Sequence, residues 1–216
     1  KRPDTSVTVV ALQSVPIELN AQGEGDVSLD IPDFNGELRL MAQAYAHPRI
    51  ASVSPLSNNA TICSYPANAG GPIPFGASLA QMDGICRTIN AGRFIDLPTT
   101  VGYCMYIRRQ ALKEVGGFDA DHFGHGYGEE NDFCLRASAK GWQHRLAADV
   151  FVYHVGSVSF SDRAKRLMDR AMQLLLQRFP DYQRIVASHI FQDDIGPCRF
   201  AVTAALFGQS GLPVIM

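Results

Sequence analysis

Long apolar runs are missing from this chain. No stretch among its 216 residues approaches the roughly 18 consecutive apolar positions a membrane-spanning helix needs. A dominant charge sign is missing too. Nineteen Lys and Arg face 21 Asp and Glu, for a net charge of −2, and the basic residues are scattered. That excludes the basic footprint of a nucleic-acid binder. The five cysteines (Cys63, Cys86, Cys104, Cys134, Cys198) are odd in number and form no C-x-x-C pair. Neither a zinc ribbon nor a disulfide framework follows, and a reducing, cytoplasmic setting fits best. Repeats and low-complexity segments are absent.

What is there is a globular composition: 46% hydrophobic and 19% charged residues, which rules out a disordered tail or a coiled coil. The length allows one domain, at most about one and a half, and a chain of this size buries roughly 70% of its unfolded surface without staples. The chain opens Lys-Arg-Pro-Asp, with no signal-peptide pattern, and stops at Gly211-Leu-Pro-Val-Ile-Met216, which reads as a strand beginning. Both ends look cut.

Residues 7–31 alternate like strands, with turn chemistry at 22–26, where glycine supplies positive φ. Residues 36–46 are ambiguous, because Leu38, Leu40 and Ala42 alternate while Leu, Met, Ala and Gln favour helix. From Pro48 the pattern predicts a strand over 50–54, a long Gly/Pro-rich functional loop over 58–76, and a short helix over 78–91. A buried strand follows over 101–107, then a helical turn or two over 109–115, stopped by Gly116-Gly117. A helix over 129–140 is closed by Gly141, and residues 144–153 are extended. The last third reads as helical. Ser161 can cap a helix whose stripe of Ala164, Leu167, Met168, Ala171, Leu174 and Leu175 is core, and Pro180 ends it. Strand–helix alternation after residue 48 argues for an α/β layer.

The chemistry concentrates in Phe123-Gly-His-Gly-Tyr-Gly-Glu-Glu-Asn-Asp-Phe-Cys-Leu-Arg136. Three glycines in five residues make a pliable loop, ending at Gly128, and Glu129 and Glu130 then open a helix whose macrodipole favours ionised carboxylates. A carboxylate beside such a loop can act as a general base. A Glu-Glu pair on its own is as well explained as helix-end decoration. Asp132 and Arg136 stand four apart and can pair across a turn. The extended run 144–153 is long enough to retrace the helix, at about 3.3 Å per residue against about 1.5 Å. His154 can therefore return to the neighbourhood of Glu130, where imidazole and carboxylate together could bind a divalent ion such as Mn²⁺. A lone histidine after a strand is more often simply hydrogen-bonded. Asn58 and Asn59 could present polar groups to a ligand or merely form a turn. Arg108 and Arg109 read as solvated surface, and His122 and His125 flank the glycine loop without an evident partner.

Residues 45–216 resemble the family-2 glycosyltransferases, which have the GT-A fold. The carrying motifs are His47-Pro-Arg-Ile-Ala-Ser-Val-Ser-Pro-Leu-Ser-Asn-Asn-Ala-Thr-Ile-Cys-Ser-Tyr-Pro66, Val101-Gly-Tyr-Cys-Met-Tyr-Ile-Arg108, Gly116-Gly-Phe-Asp119, the acidic run ending at Arg136, and Val152-Tyr-His154. The resemblance implies inverting, hexosyltransferase-like transfer of a sugar from a nucleotide-sugar donor to a glycan acceptor in bacterial surface-polysaccharide synthesis. It assigns the general base to Glu130. Gly128, Glu129, Asp132 and Asn59 fall to the acceptor side, and His154 falls to a Mn²⁺ or Mg²⁺ ion on the donor diphosphate. The fold class it implies is α/β: a partial GT-A (nucleotide-diphospho-sugar transferase) fold with a β-rich N-terminal segment over 1–44 and a helical C-terminal third. Phe179-Pro-Asp-Tyr182 and the chain end resemble junctions in larger multidomain transferases.

The family's N-terminal nucleotide-binding half and its Asp-x-Asp motif have no counterpart here. The place ahead of His47 holds Glu18-Leu-Asn-Ala-Gln-Gly-Glu-Gly-Asp26. Residues 8–45 instead resemble a piece of bacterial α2-macroglobulin-like proteins, carried by Val27-Ser-Leu-Asp-Ile-Pro-Asp-Phe-Asn-Gly-Glu-Leu-Arg-Leu-Met-Ala42. A chimera of the two is the expected account. The alternative is a non-catalytic module, either a macroglobulin-like β-sandwich piece or a carbohydrate-binding relic.

Overall fold

A computed structural model describes residues 35–68, 70–124, 127–155 and 162–211. The strands expected over 7–31 and the cap expected at Ser161 lie outside the described residues. The chain divides into two units, residues 1–34 and 35–216. In chain order the second unit contains α1 (Asn35–Tyr45), β1 (Ile50–Leu56), α2 (Leu79–Ile89), β2 (Phe94–Leu97), β3 (Tyr106–Ile107), α3 (Arg109–Val115), α4 (Ala120–Phe123), α5 (Glu129–Ala139), β4 (Gln143–Phe151), α6 (Asp162–Arg178), α7 (Tyr182–Gln192) and α8 (Gly196–Gln209).

The four strands form one mixed sheet in the order β2-β4-β1-β3. β1 and β4 run parallel at its centre, with Val53 beside Arg145 and Ser54 beside Leu146. β2 and β3 are antiparallel edges. All of β1 and nearly all of β4 are buried, as central parallel strands covered on both faces require. Successive residues of β4 serve different cores. Ala147 and Val150 cluster with Leu40 and Ala44 of α1. Leu146 and Ala148 cluster with Met82, Ile85 and Cys86 of α2 and with Val202 and Leu206 of α8. The mixed α/β architecture with a helical C-terminal third agrees with a partial GT-A fold.

Local chemistry explains several boundaries. α2 begins at a reciprocal capping box, in which Ser78 Oγ accepts from the Gln81 N–H and Gln81 Oε1 accepts from the Ser78 N–H. It ends at buried Asn90, whose side-chain amide donates to the carbonyls of Ala148 and Cys198 and so ties helix, sheet and α8 together. The loop after β1 is pinned by buried Arg199, which donates to the Ser64 carbonyl, Asn68 Oδ1 and Asp193 Oδ1. Gly70 closes that loop at φ +75°, where a Cβ would lie 2.2 Å from the Asn58 carbonyl oxygen.

Three expectations are corrected. The buried strand over 101–107 shrinks to Tyr106–Ile107. Ahead of it the Ser54 hydroxyl accepts from the Val101 N–H and donates to the Cys104 carbonyl, so side-chain bonds replace a ladder. Phe94–Leu97, assigned to no element from the sequence, is an edge strand on β4. The ambiguous stretch 36–46 is helix α1, a part of the second unit, although 1–44 was expected to be β-rich. Its Leu40 and Ala44 lie four apart, bury one stripe against the sheet and settle the choice.

That packing predicts that Leu40→Ala lowers the unfolding free energy by about 2–5 kcal/mol, the usual cost of a buried Leu truncation. Urea denaturation checks it; a loss below about 0.5 kcal/mol would mean that α1 does not belong to this core.

Candidate functional site

The loop that ends at Gly128 turns into α5 through a left-handed residue, Gly128 at φ 85°, where a Cβ would press within 3.2 Å of Ala171 and Phe123. Glycine's freedom is required here on both counts. The turn delivers Glu130 to the wall of a cavity of about 560 Å³. Burial pushes the Glu130 carboxyl above its ordinary range, and the charge of Glu129 adds to this. The N–H groups of Glu130, Gly128 and Asn131 at the helix start oppose the shift. A carboxylate raised in this way is a stronger base once ionised.

Asn59, Thr99, Thr100 and Asn131 share the polar side of the cavity with Glu130 and Gly128. Met168, Met172 and Leu175 of α6 and Val186 and Ile190 of α7 give the same cavity an apolar lining. Tyr182, the first residue of α7, also lines the cavity. Burial raises its phenol to about 12, the nearby Glu130 charge contributes, and a hydrogen bond to Thr99 opposes.

What holds α5 in place is a closed ring of buried hydrogen bonds. His144 Nε2 is 2.9 Å from the Cys134 carbonyl, which can only accept, so Nε2 carries the proton. Burial lowers this imidazole to about 4; it is neutral, and Nδ1 must accept from Ser52 Oγ at 2.7 Å. Ser52 then accepts from Thr100 Oγ1 at 2.7 Å, and Thr100 from the Cys134 thiol at 3.3 Å. Burial pushes that thiol up to about 11, so its proton is in place. The ring joins β1, β4, the 99–100 segment and α5, one turn beyond Glu130.

His154 is held by the asparagine pair. Its N–H donates to Asn58 Oδ1 at 2.7 Å, and Asn58 Nδ2 donates back to the His154 carbonyl. Its ring Nδ1 donates to the Asn59 carbonyl at 2.5 Å, and Tyr103 stacks on the ring with centroids 5.1 Å apart. This leaves Nε2 as the ring nitrogen with a lone pair, the arrangement of a metal-binding histidine whose other N–H is fixed by a carbonyl. Among the described residues no group of three or more His, Cys, Asp or Glu side chains is placed to hold a metal ion. Among the described residues His154 therefore offers a cation one nitrogen, without further ligands beside it. His154 does not line the cavity. Asn59 links the two, lining it while its carbonyl holds the imidazole.

Two acidic residues from the acceptor-side set lie elsewhere. Asp132 is fully buried, with Oδ2 held by Arg136 at 2.7 Å and Oδ1 by Arg178 at 2.8 Å, so it fastens α5 to α6 rather than meeting substrate. Glu129 is not part of the cavity wall, and its Oε2 is buried without a hydrogen-bond partner. His122 pairs with Asp119 at 2.8 Å. Arg108 donates to the carbonyls of His47 and Pro48 and lies over the Tyr45 ring, so it is engaged rather than solvated. The stripe assigned wholly to core divides: Ala171 and Leu175 are buried, while Met168 is 52% exposed at the cavity.

Comparison with known proteins gives a matching sequence family, Glycosyl transferase family group 2, over residues 36–212. The chain belongs to that family. The matched span contains the Glu130 helix, the His144 ring, His154 and the helices that line the cavity. A 45-residue stretch is 58% identical to alpha-2-macroglobulin of Escherichia coli (strain K12); it covers 21% of this chain but only 3% of that protein. No solved structure matches the transferase. None of the five cysteines is in a disulfide, and among the described residues no helix is long and apolar enough to cross a membrane.

The ring predicts a pH signature. A histidine with a depressed folded pKa lends stability that is complete above its unfolded value near 6.5 and is lost as pH falls towards about 4. Over that window the stability of the native chain should drop relative to His144→Gln. Parallel urea titrations of the two proteins check this; parallel pH curves would contradict it.

Proposed function

We propose that this chain catalyses inverting sugar transfer from a nucleotide-sugar donor to an acceptor hydroxyl, with Glu130 as general base. What supports the reading most is one arrangement: a carboxylate with a raised pKa at the head of α5, on the polar side of a cavity of about 560 Å³. The acceptor O–H gives its proton to the Glu130 carboxylate while the oxygen attacks the anomeric carbon. The anomeric C–O bond to the diphosphate breaks, and its electron pair leaves with the nucleoside diphosphate. Attack opposite the leaving group inverts the anomeric centre. Asn59 and Asn131 line the same cavity, and in this reading they orient acceptor hydroxyls beside Glu130.

Family-2 transferases generally use a divalent cation, and His154 Nε2 fits as one ligand of Mn²⁺ or Mg²⁺ carried on the donor diphosphate. When bound, such an ion neutralises charge on the leaving diphosphate as a Lewis acid. The local task of the chain is to hold that imidazole at fixed orientation through Asn58, Asn59 and Tyr103. A role in bacterial polysaccharide synthesis, within a larger enzyme, is the setting in which we place the reaction.

Glu130→Gln should reduce transfer of radiolabelled sugar by about 10²–10⁴-fold, the range for a lost general base. Folding should survive. Because the folded site already favours the neutral carboxyl, the variant should be at least as stable as the parent at pH 8. Undiminished transfer would remove Glu130 from the mechanism. In the same preparation His154→Ala should lose the Mn²⁺-dependent part of nucleoside diphosphate binding, read by calorimetry.

A further inference from the structure

The cavity beside Glu130 has two chemically different sets of lining residues, and among the described residues neither carries a positive charge. Among the described residues no Lys or Arg lines it, and Glu130 is the one carboxylate that does. A diphosphate placed there would meet a carboxylate and no cation, so the occupant is the uncharged acceptor and not the donor. On one side stand Asn59, Glu130 and Asn131, which between them can donate to and accept from hydroxyls. On the other, α6 and α7 contribute thioether and aliphatic groups, chiefly Met168, Met172, Val186 and Ile190. The hydroxyl of Tyr182, the polar group on the helical side, is already bonded to Thr99.

A sugar with hydroxyls on every edge is a poor match for such a space. Those facing the helices would give up water and find no partner, an unfavourable exchange. The apolar wall also reaches the surface: Met168 is 52% exposed, Met172 37% and Ile190 41%. An acceptor with a hydroxylated end at Glu130 and an apolar end along α6 and α7 satisfies both walls and covers these side chains. Methionine's flexible thioether suits an aliphatic chain without demanding one shape.

We infer that the acceptor is a glycoside carrying an aliphatic aglycone, its sugar beside Glu130 and its chain against Met168, Met172, Val186 and Ile190. The assignment rests on the reading of Glu130 as the base that takes the acceptor proton, and it adds the acceptor's chemical class to that reading.

The test compares octyl β-glucoside, kept below its micelle concentration, with methyl β-glucoside by calorimetry on the full chain without donor. Octyl glucoside should bind at least tenfold more tightly, the gain from burying about two methylenes. Met168→Gln and Ile190→Asn change half-exposed helix positions that folding tolerates, as unchanged thermal melting will verify. Combined, they should shrink the difference between the two glucosides to within about threefold. Equal affinities in the native chain, or a chain-length advantage that survives both substitutions, would overturn the inference. A sugar-transfer assay reads the catalytic assignment separately. Tighter octyl binding without Glu130-dependent transfer would retain the acceptor class and reject the base.

Discussion

The closed hydrogen-bond ring through His144, Ser52, Thr100 and Cys134 is the constraint on which the rest of the site depends. Each donor in it is forced by the preceding acceptor, because a carbonyl cannot donate and a neutral imidazole has only one proton. A buried polar network of this kind is favourable only when every member is satisfied. The ring meets that condition and fixes the two central strands, the 99–100 segment and α5 relative to one another. Thr100 takes part in the ring and lines the cavity as well, so one residue transmits the constraint to the site.

From that anchor the position of Glu130, the proposed base, follows. Cys134 lies four residues beyond Glu130, and Asp132 between them is clamped by Arg136 and Arg178. Removing one partner from such a buried ionic cluster costs several kcal/mol, because the remaining charges stay buried unpaired. α5 is thus held at its middle from two directions, towards the sheet and towards α6. Its N-terminal turn, with a left-handed Gly128, is left to face the cavity. Glu130 combines the partial burial that raises its pKa with the access that a base needs.

Much of this was legible in the sequence. Glycines at 124, 126 and 128 ahead of two carboxylates marked the start of α5, and Gly141 marked its end, because local backbone chemistry sets those boundaries. Strand and helix lengths pointed His154 back towards Glu130; in the fold it is held by Asn58 and Asn59 and does not line the Glu130 cavity. Other features depended on contacts with no local trace. The segment 101–105 has a strand's composition but not a strand's hydrogen bonds, since the Ser54 side chain, 47 residues away, satisfies its backbone. The spacing offered Arg136 as the partner of Asp132, but Arg178, 46 residues on, left no local trace as its second partner. Met168 shares a helical stripe with Leu175, yet one lines the cavity mouth and the other is core. Spacing along one helix cannot tell a partner helix from an open cavity.

The central claim is that fold geometry holds the Glu130 carboxyl partly buried on the cavity wall, so that it titrates above an ordinary glutamate while remaining reachable by substrate. The most direct measurement is a ¹³C NMR titration of the Glu130 side-chain carboxyl in the folded chain, with and without methyl β-glucoside. The account predicts a midpoint above 4.5 that shifts when the glycoside occupies the cavity. A midpoint at or below 4.5, unmoved by the glycoside, would contradict it.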